Sequence, residues 1–205
     1  HADTMTFDGK VRIALDVLQA TDRIVLQAAD LRFGRSTLTS GKAKAALVAK
    51  VATDANAQTA SFVFAKPLAP GSYVLSIDYS GVINTQANGL FALDYATAHG
   101  QRRALYTQFE NSDARRVLPS WDEPDFKATF DLTVNAPAAQ MVVGNMPVAT
   151  TTDLGHGFKR VAFQTTPKMS TYLLFLGVGD FQRTALKGDN GTEIGETTGD
   201  DFFGD

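Results

Sequence analysis

Apolar residues recur at every second position in stretch after stretch of this chain, and that spacing is the strongest constraint on its fold. Val11, Ile13, Leu15 and Val17 fall on one side, with Arg12 and Asp16 between them. Ile24, Leu26 and Ala28 repeat the pattern, as do Phe62 with Phe64, and Tyr73, Leu75, Ile77 and Tyr79. Successive side chains of an extended strand point to opposite faces, so this period buries one face and leaves the other in water. Turn residues interrupt the pattern at short intervals: Asp8-Gly9, Ser40-Gly41, Pro67 to Gly71, Asn88-Gly89, Gly155 to Gly157 and Asp189-Asn190-Gly191. Many short strands with such spacing predict an all-β, antiparallel β-sandwich-like domain.

Within that frame, Val11 to Val17, Tyr73 to Tyr79, Lys127 to Val134 and Tyr172 to Val178 are expected as strands. The last is apolar on both sides and is expected as a central strand covered on both faces. Lys42 to Thr53 is rich in alanine and lysine, which favour helix. Its strict alternation at Ala43, Ala45, Leu47, Ala49 and Val51 favours strand, and strand is the reading adopted. The only helix expected is one short turn through Ala114, Arg115 and Arg116, capped by Ser112 or Asp113 and ended by Pro119.

At 205 residues the chain suits one domain that buries about 70% of its unfolded surface. A net charge of -3 supplies no electrostatic reason to bind nucleic acid. No apolar run approaches the roughly 20 residues of a membrane-spanning helix. With 0 cysteines, disulfides and thiolate chemistry are excluded. The N-terminus shows no basic region followed by an apolar core. Processing could have removed an export segment, so cytoplasm and periplasm stay open as compartments. The early entry into a strand suggests a boundary inside a longer protein.

Functional groups concentrate between Tyr106 and Phe130. Gln108 and Glu110 sit two apart at the end of an apolar run, where extended residues i and i+2 can reach one ligand. The alternative is a solvated strand end, with Glu110 favoured by a helix N-terminus. Trp121, Asp122, Glu123 and Pro124 read as a structural corner, the carboxylates pairing with Arg115, Arg116 or backbone amides. Tyr106 and Phe109 read as core or cleft wall. His156, between Gly155 and Gly157, reads as an exposed hairpin tip. Asp200, Asp201 and Asp205 lack calcium-loop spacing and read as a solvated tail.

The same segment resembles the N-terminal domain of zinc aminopeptidases of the M1 peptidase family, whose members include membrane alanyl aminopeptidases and leukotriene hydrolase. Three further stretches carry the resemblance, in the same order. They are Ile77 to Asn84 with Asn88-Gly89-Leu90-Phe91, then Thr166 to Leu174, then Val178-Gly179-Asp180-Phe181. The resemblance implies a saddle-shaped β domain over residues 1–187, with 188–205 a hairpin and acidic tail leading toward a catalytic domain outside this chain. It further implies that Gln108 and Glu110 project into the active-site cleft and help bind the substrate α-amino group. The peptide N-terminus and the catalytic domain would be the partners.

The cofactor implied for the longer enzyme is zinc, which needs H-E-x-x-H on a helix and a later glutamate. None of the 3 histidines, His1, His99 and His156, has that spacing. The family's G-x-M-E-N motif is also missing, and Gly144-Asn145-Met146-Pro147 matches it only superficially. No cofactor and no peptidase activity are therefore expected of this chain by itself. A free-standing β-sandwich module for carbohydrate or protein is the rival reading, and it has no use for the Gln108–Glu110 strand end.

Overall fold

A computed structural model describes residues 1–40, 46–97, 100–189 and 193–199. The first half is built from β1 (Thr6–Val17), β2 (Thr21–Gln27), β3 (Arg32–Ser40), β4 (Leu47–Val48), β5 (Lys50–Asp54), β6 (Thr59–Leu68) and β7 (Gly71–Val82). These form two antiparallel sheets, ordered β1-β7-β3-β4 and β2-β6-β5. The alternating residues do what their period predicts: Ile24, Leu26, Phe62, Phe64, Leu75 and Ile77 are buried together between the sheets. Phe33 from one sheet meets Phe62 from the other edge-to-face at 5.5 Å. Each such side chain removed from water contributes about 1.5–3 kcal/mol.

The second half contains β8 (Gly89–Thr97), β9 (Gly100–Gln108), β10 (Lys127–Ala128), β11 (Thr133–Pro137), β12 (Met141–Gly144), β13 (Val148–Gly155), β14 (Phe158–Phe163), β15 (Met169–Ser170) and β16 (Leu176–Gly179). Sheet β12-β16-β9-β8 packs against sheet β11-β14-β13 around Ala136, Val142, Val161, Phe163 and Val178. A hairpin of β17 (Phe181–Lys187) and β18 (Glu193–Gly199) follows. The all-β, sandwich-like expectation holds.

Three expected elements come out differently. The stretch from Lys42 to Thr53 is strand where it is described, but not one strand. β4 pairs with β3 and β5 with β6, so the chain changes sheet at Ala49, whose N–H donates to the Ser36 carbonyl at 2.9 Å. Ala43 lies outside the described residues, as does Ala45. Lys127 to Val134 is likewise broken, pairing only at Lys127–Ala128 and again from Thr133. Between them the Thr166 hydroxyl accepts the Phe130 N–H at 3.0 Å, replacing a ladder bond, and Pro167 has no N–H to offer.

Tyr172 to Val178 is not a central strand buried on both faces. Thr171–Leu173 coils into a 3₁₀ turn, and extended pairing starts only at Leu176. Leu173 is 48% exposed and Phe175 37% exposed. The apolar run is divided between a buried strand and an open surface.

Glycine matters most where β1 and β7 pair. Phe7 lies opposite Gly81, and Gly9 opposite Tyr79. Each ring covers the glycine facing it, and the two rings meet edge-to-face at 6.4 Å. A Cβ on Gly81 would overlap the Phe7 ring and press on Leu31 at 3.0 Å. Gly81→Val should therefore lower the unfolding free energy by about 1–3 kcal/mol, the usual result of overpacking. Urea unfolding of the chain measures it, and an unchanged midpoint would mean that the rings swing aside freely.

Candidate functional site

The candidate site lies where β9 ends. Gln108 and Glu110 are exposed, whereas Phe109 between them is 3% exposed. Alternation thus continues past the last paired residue and sets both polar groups on the outer side, about 7 Å apart along the backbone. Thr107 anchors this end: its hydroxyl oxygen accepts the Leu176 N–H at 2.8 Å. The Glu110–Asn111 peptide bond is cis. Tyr106 stacks on Phe181 at 5.6 Å, and burial raises the pKa of its phenol.

The chain then turns through the expected short helical segment, a 3₁₀ turn at Ala114–Arg116. Its expected cap is absent, for neither Ser112 nor Asp113 caps it through a side chain. The Ser112 hydroxyl donates to Asn111 Oδ1 at 3.0 Å. The Asp113 carboxylate accepts Arg116 Nε–H at 2.8 Å, and Arg116 also pairs with Asp30. Two arginines so close in the chain make ion pairing a stronger claim on Asp113 than an amide would be.

Arg115 holds the corner that follows. Its backbone N–H and its Nε–H both donate to Asp122 Oδ2 at 3.1 Å, and Nη2 donates to the Asp122 carbonyl at 3.0 Å. The other carboxylate oxygen, Oδ1, accepts the Thr171 hydroxyl at 2.6 Å. The Asp122 side chain is 1% exposed and that of Arg115 16% exposed. Such a buried charge is tolerable only with this set of donors around it.

Asp122 therefore serves structure, as expected. Glu123 does too, although its partner is Gln27, 3.1 Å away, rather than an arginine. Phe126 N–H closes the Pro124 turn onto the Glu123 carbonyl at 3.0 Å. Residues that sequence reasoning did not single out, Gln27, Gln58 and Thr171, complete the corner. They come from distant segments, and no local pattern marks them.

No group of His, Cys, Asp and Glu that could hold a metal occurs among the described residues. His1 Nε2 lies 3.1 Å from Asp8, and His156 is exposed at the β13–β14 turn. His99 lies outside the described residues, as do Asp200, Asp201 and Asp205. The described residues do not fit a zinc site. What the strand end offers is a carboxylate and a carboxamide on one open face, two acceptors suited to a cationic N–H donor.

Residues 1–173 match the family model described as the peptidase M1 N-terminal domain. Aminopeptidase N of Acetobacter pasteurianus is 41% identical over 181 residues, covering 88% of this chain and 50% of that protein. Aminopeptidase M1 of Arabidopsis thaliana is 36% identical over 179 residues, 86% of this chain and 20% of that protein. Endoplasmic reticulum aminopeptidase 1 of Rattus norvegicus is 30% identical over 200 residues, 95% of this chain and 22% of that protein. The chain thus spans half the length of the first and about a fifth of the other two.

Proposed function

This chain belongs to the peptidase M1 N-terminal domain family, and on that premise we propose that it is the accessory domain of a zinc metallo-aminopeptidase. In this reading it walls the active-site cleft, and Gln108 and Glu110 bind the α-amino group of a peptide substrate. The observation that carries the reading is the pair itself: two acceptors exposed on one face, over a Phe109 that is 3% exposed. An ammonium gains most from a carboxylate and a carbonyl oxygen, because charge-assisted hydrogen bonds are about twice as strong as neutral ones. Peptides with a free N-terminus would be held, and those without one rejected.

The zinc and its ligands would belong to the remainder of the longer enzyme, since this sequence contains no H-E-x-x-H. Residues 1–187 would form the domain proper, and 188–205 would lead toward the catalytic part. The rival reading, a free-standing sandwich module, leaves the Gln108–Glu110 strand end without a role.

The test compares two proteins and two substrates. The 205-residue chain, given zinc and an aminoacyl anilide, should show no turnover. The longer protein should release the N-terminal residue of a free-amine peptide and act at least about a hundredfold more slowly on its N-acetylated form. Equal rates on both peptides would remove the amine-binding role, and turnover by the short chain would overturn its assignment as an accessory domain.

A further inference from the structure

The turn that carries Glu110 is fastened at its far end by a single arginine. The Asp113 N–H donates to the Phe109 carbonyl at 2.9 Å, so Glu110, Asn111 and Ser112 form the arc of a closed turn. At the end of that arc the Asp113 carboxylate accepts Arg116 Nε–H at 2.8 Å. Arg116 Nη1 reaches in another direction and pairs with Asp30, which lies 86 residues away in the chain. One planar guanidinium, its donors in a rigid fork, thus holds two carboxylates at fixed directions.

Asp30 is itself anchored. It sits between β2 and β3 with a left-handed φ of 58°, a region that aspartate enters more readily than most residues. The Ala29 N–H before it donates to the Arg115 carbonyl at 2.9 Å, and the Ala28 N–H donates to the Gln58 carbonyl at 2.8 Å. The corner between β2 and β3 is therefore a rigid post of the first sandwich. Another side of Arg116 is closed by Gly89, which lies opposite Gln108 in the β8–β9 ladder. A Cβ on Gly89 would stand 3.0 Å from Arg116 Cβ, and its φ of +66° favours glycine. Arg116 thus lies against the strand partner of Gln108 while it holds the turn of Glu110.

This bridge does little for stability. The Arg116 side chain is 26% exposed and that of Asp30 67% exposed, and exposed ion pairs contribute little to folding. What it fixes is the direction of a turn whose first residues, Glu110 and Asn111, stand in water. We propose that Arg116 is a positioning residue for Glu110: by bridging Asp113 and Asp30 it holds the turn in the orientation that presents the carboxylate to a substrate ammonium. The inference rests on the amine-binding role proposed for Glu110 and adds the device that keeps it preorganised. Hydrogen bonds weaken steeply as their angles degrade, and a misplacement of about 1 Å can cost about a hundredfold in rate.

The experiment is a double-mutant cycle in the longer enzyme, zinc-loaded, with alanyl p-nitroanilide as substrate. Arg116→Gln should lower kcat/KM about tenfold, mainly through KM. Asp30→Asn keeps a side chain that accepts the left-handed bend and removes only the charge. It should lower kcat/KM about threefold and leave Tm nearly unchanged. In a Glu110→Ala background each variant should cost less than about twofold more, because the contact they position is already gone. A residue that merely supported the fold would cost the same in both backgrounds. That result, or unchanged kinetics in either variant, would overturn the inference and leave the role of Glu110 standing, since Glu110→Ala alone still lowers activity. If Arg116→Gln does not fold, the cycle with the exposed Asp30 decides by the same criteria. A Glu110→Ala enzyme with wild-type kinetics removes the amine-binding role, and this inference with it.

Discussion

Replacing Glu110 with alanine in the longer enzyme is expected to lower kcat/KM about tenfold to a hundredfold and to leave Tm nearly unchanged. The kinetic loss follows from one charge-assisted hydrogen bond, worth about 1.5–3 kcal/mol once water is excluded around it. The thermal result follows from position. Glu110 is exposed, while the packing at this strand end comes from Phe109, at 3% exposure, which the substitution does not touch. Glu110→Gln keeps an acceptor and loses the charge, so it should fall between wild type and Glu110→Ala. Unchanged kinetics with a lowered Tm would instead make Glu110 a structural residue and withdraw it from the proposed site.

Asp122→Ala should have the opposite signature, a large loss of stability measurable in the 205-residue chain itself. The substitution leaves the Arg115 guanidinium and backbone N–H and the Thr171 hydroxyl without their acceptor. With the Arg115 side chain only 16% exposed, water replaces that acceptor poorly. Breaking a buried pair from one side costs about 3–5 kcal/mol. For a domain of this size that corresponds to a fall in Tm of about 6–20 °C.

Arg115→Ala in the same background should add less than its effect alone, because the two residues belong to one network. Thermal unfolding of the two single variants and the double variant measures this. A loss below about 1 kcal/mol for Asp122→Ala would mean that the corner is held by Gln27, Gln58 and the β10–β15 pairing instead. In the longer enzyme, Asp122→Ala should also impair catalysis, because the corner fixes the turn that follows Glu110.

Much of this architecture could be read from the chain because strand alternation is local. Ile24, Leu26, Phe62, Leu75 and Ile77 are buried at the positions their spacing predicts, and Phe109 turns inward between two exposed polar residues by the same rule. The pairing of Asp122 with Arg115 was legible for a similar reason, since the two lie 7 residues apart. Glu123 shows where that reasoning stops. Its partner, Gln27, is 96 residues away, and a glutamine in a strand carries no mark of what it will meet.

Residue spacing and residue chemistry by themselves determined the all-β class, the inward and outward faces of the main strands and the corner at Pro124, whereas the role expected of Gln108 and Glu110 came from the family resemblance. The first three depend on neighbours within a few residues. Tertiary structure alone decided the change of sheet at Ala49 and the division of Tyr172 to Val178 between a buried strand and an open surface. In each case two segments far apart in the chain compete for the same hydrogen bonds or the same volume. The outcome depends on which partner arrives, and a local pattern does not contain that information.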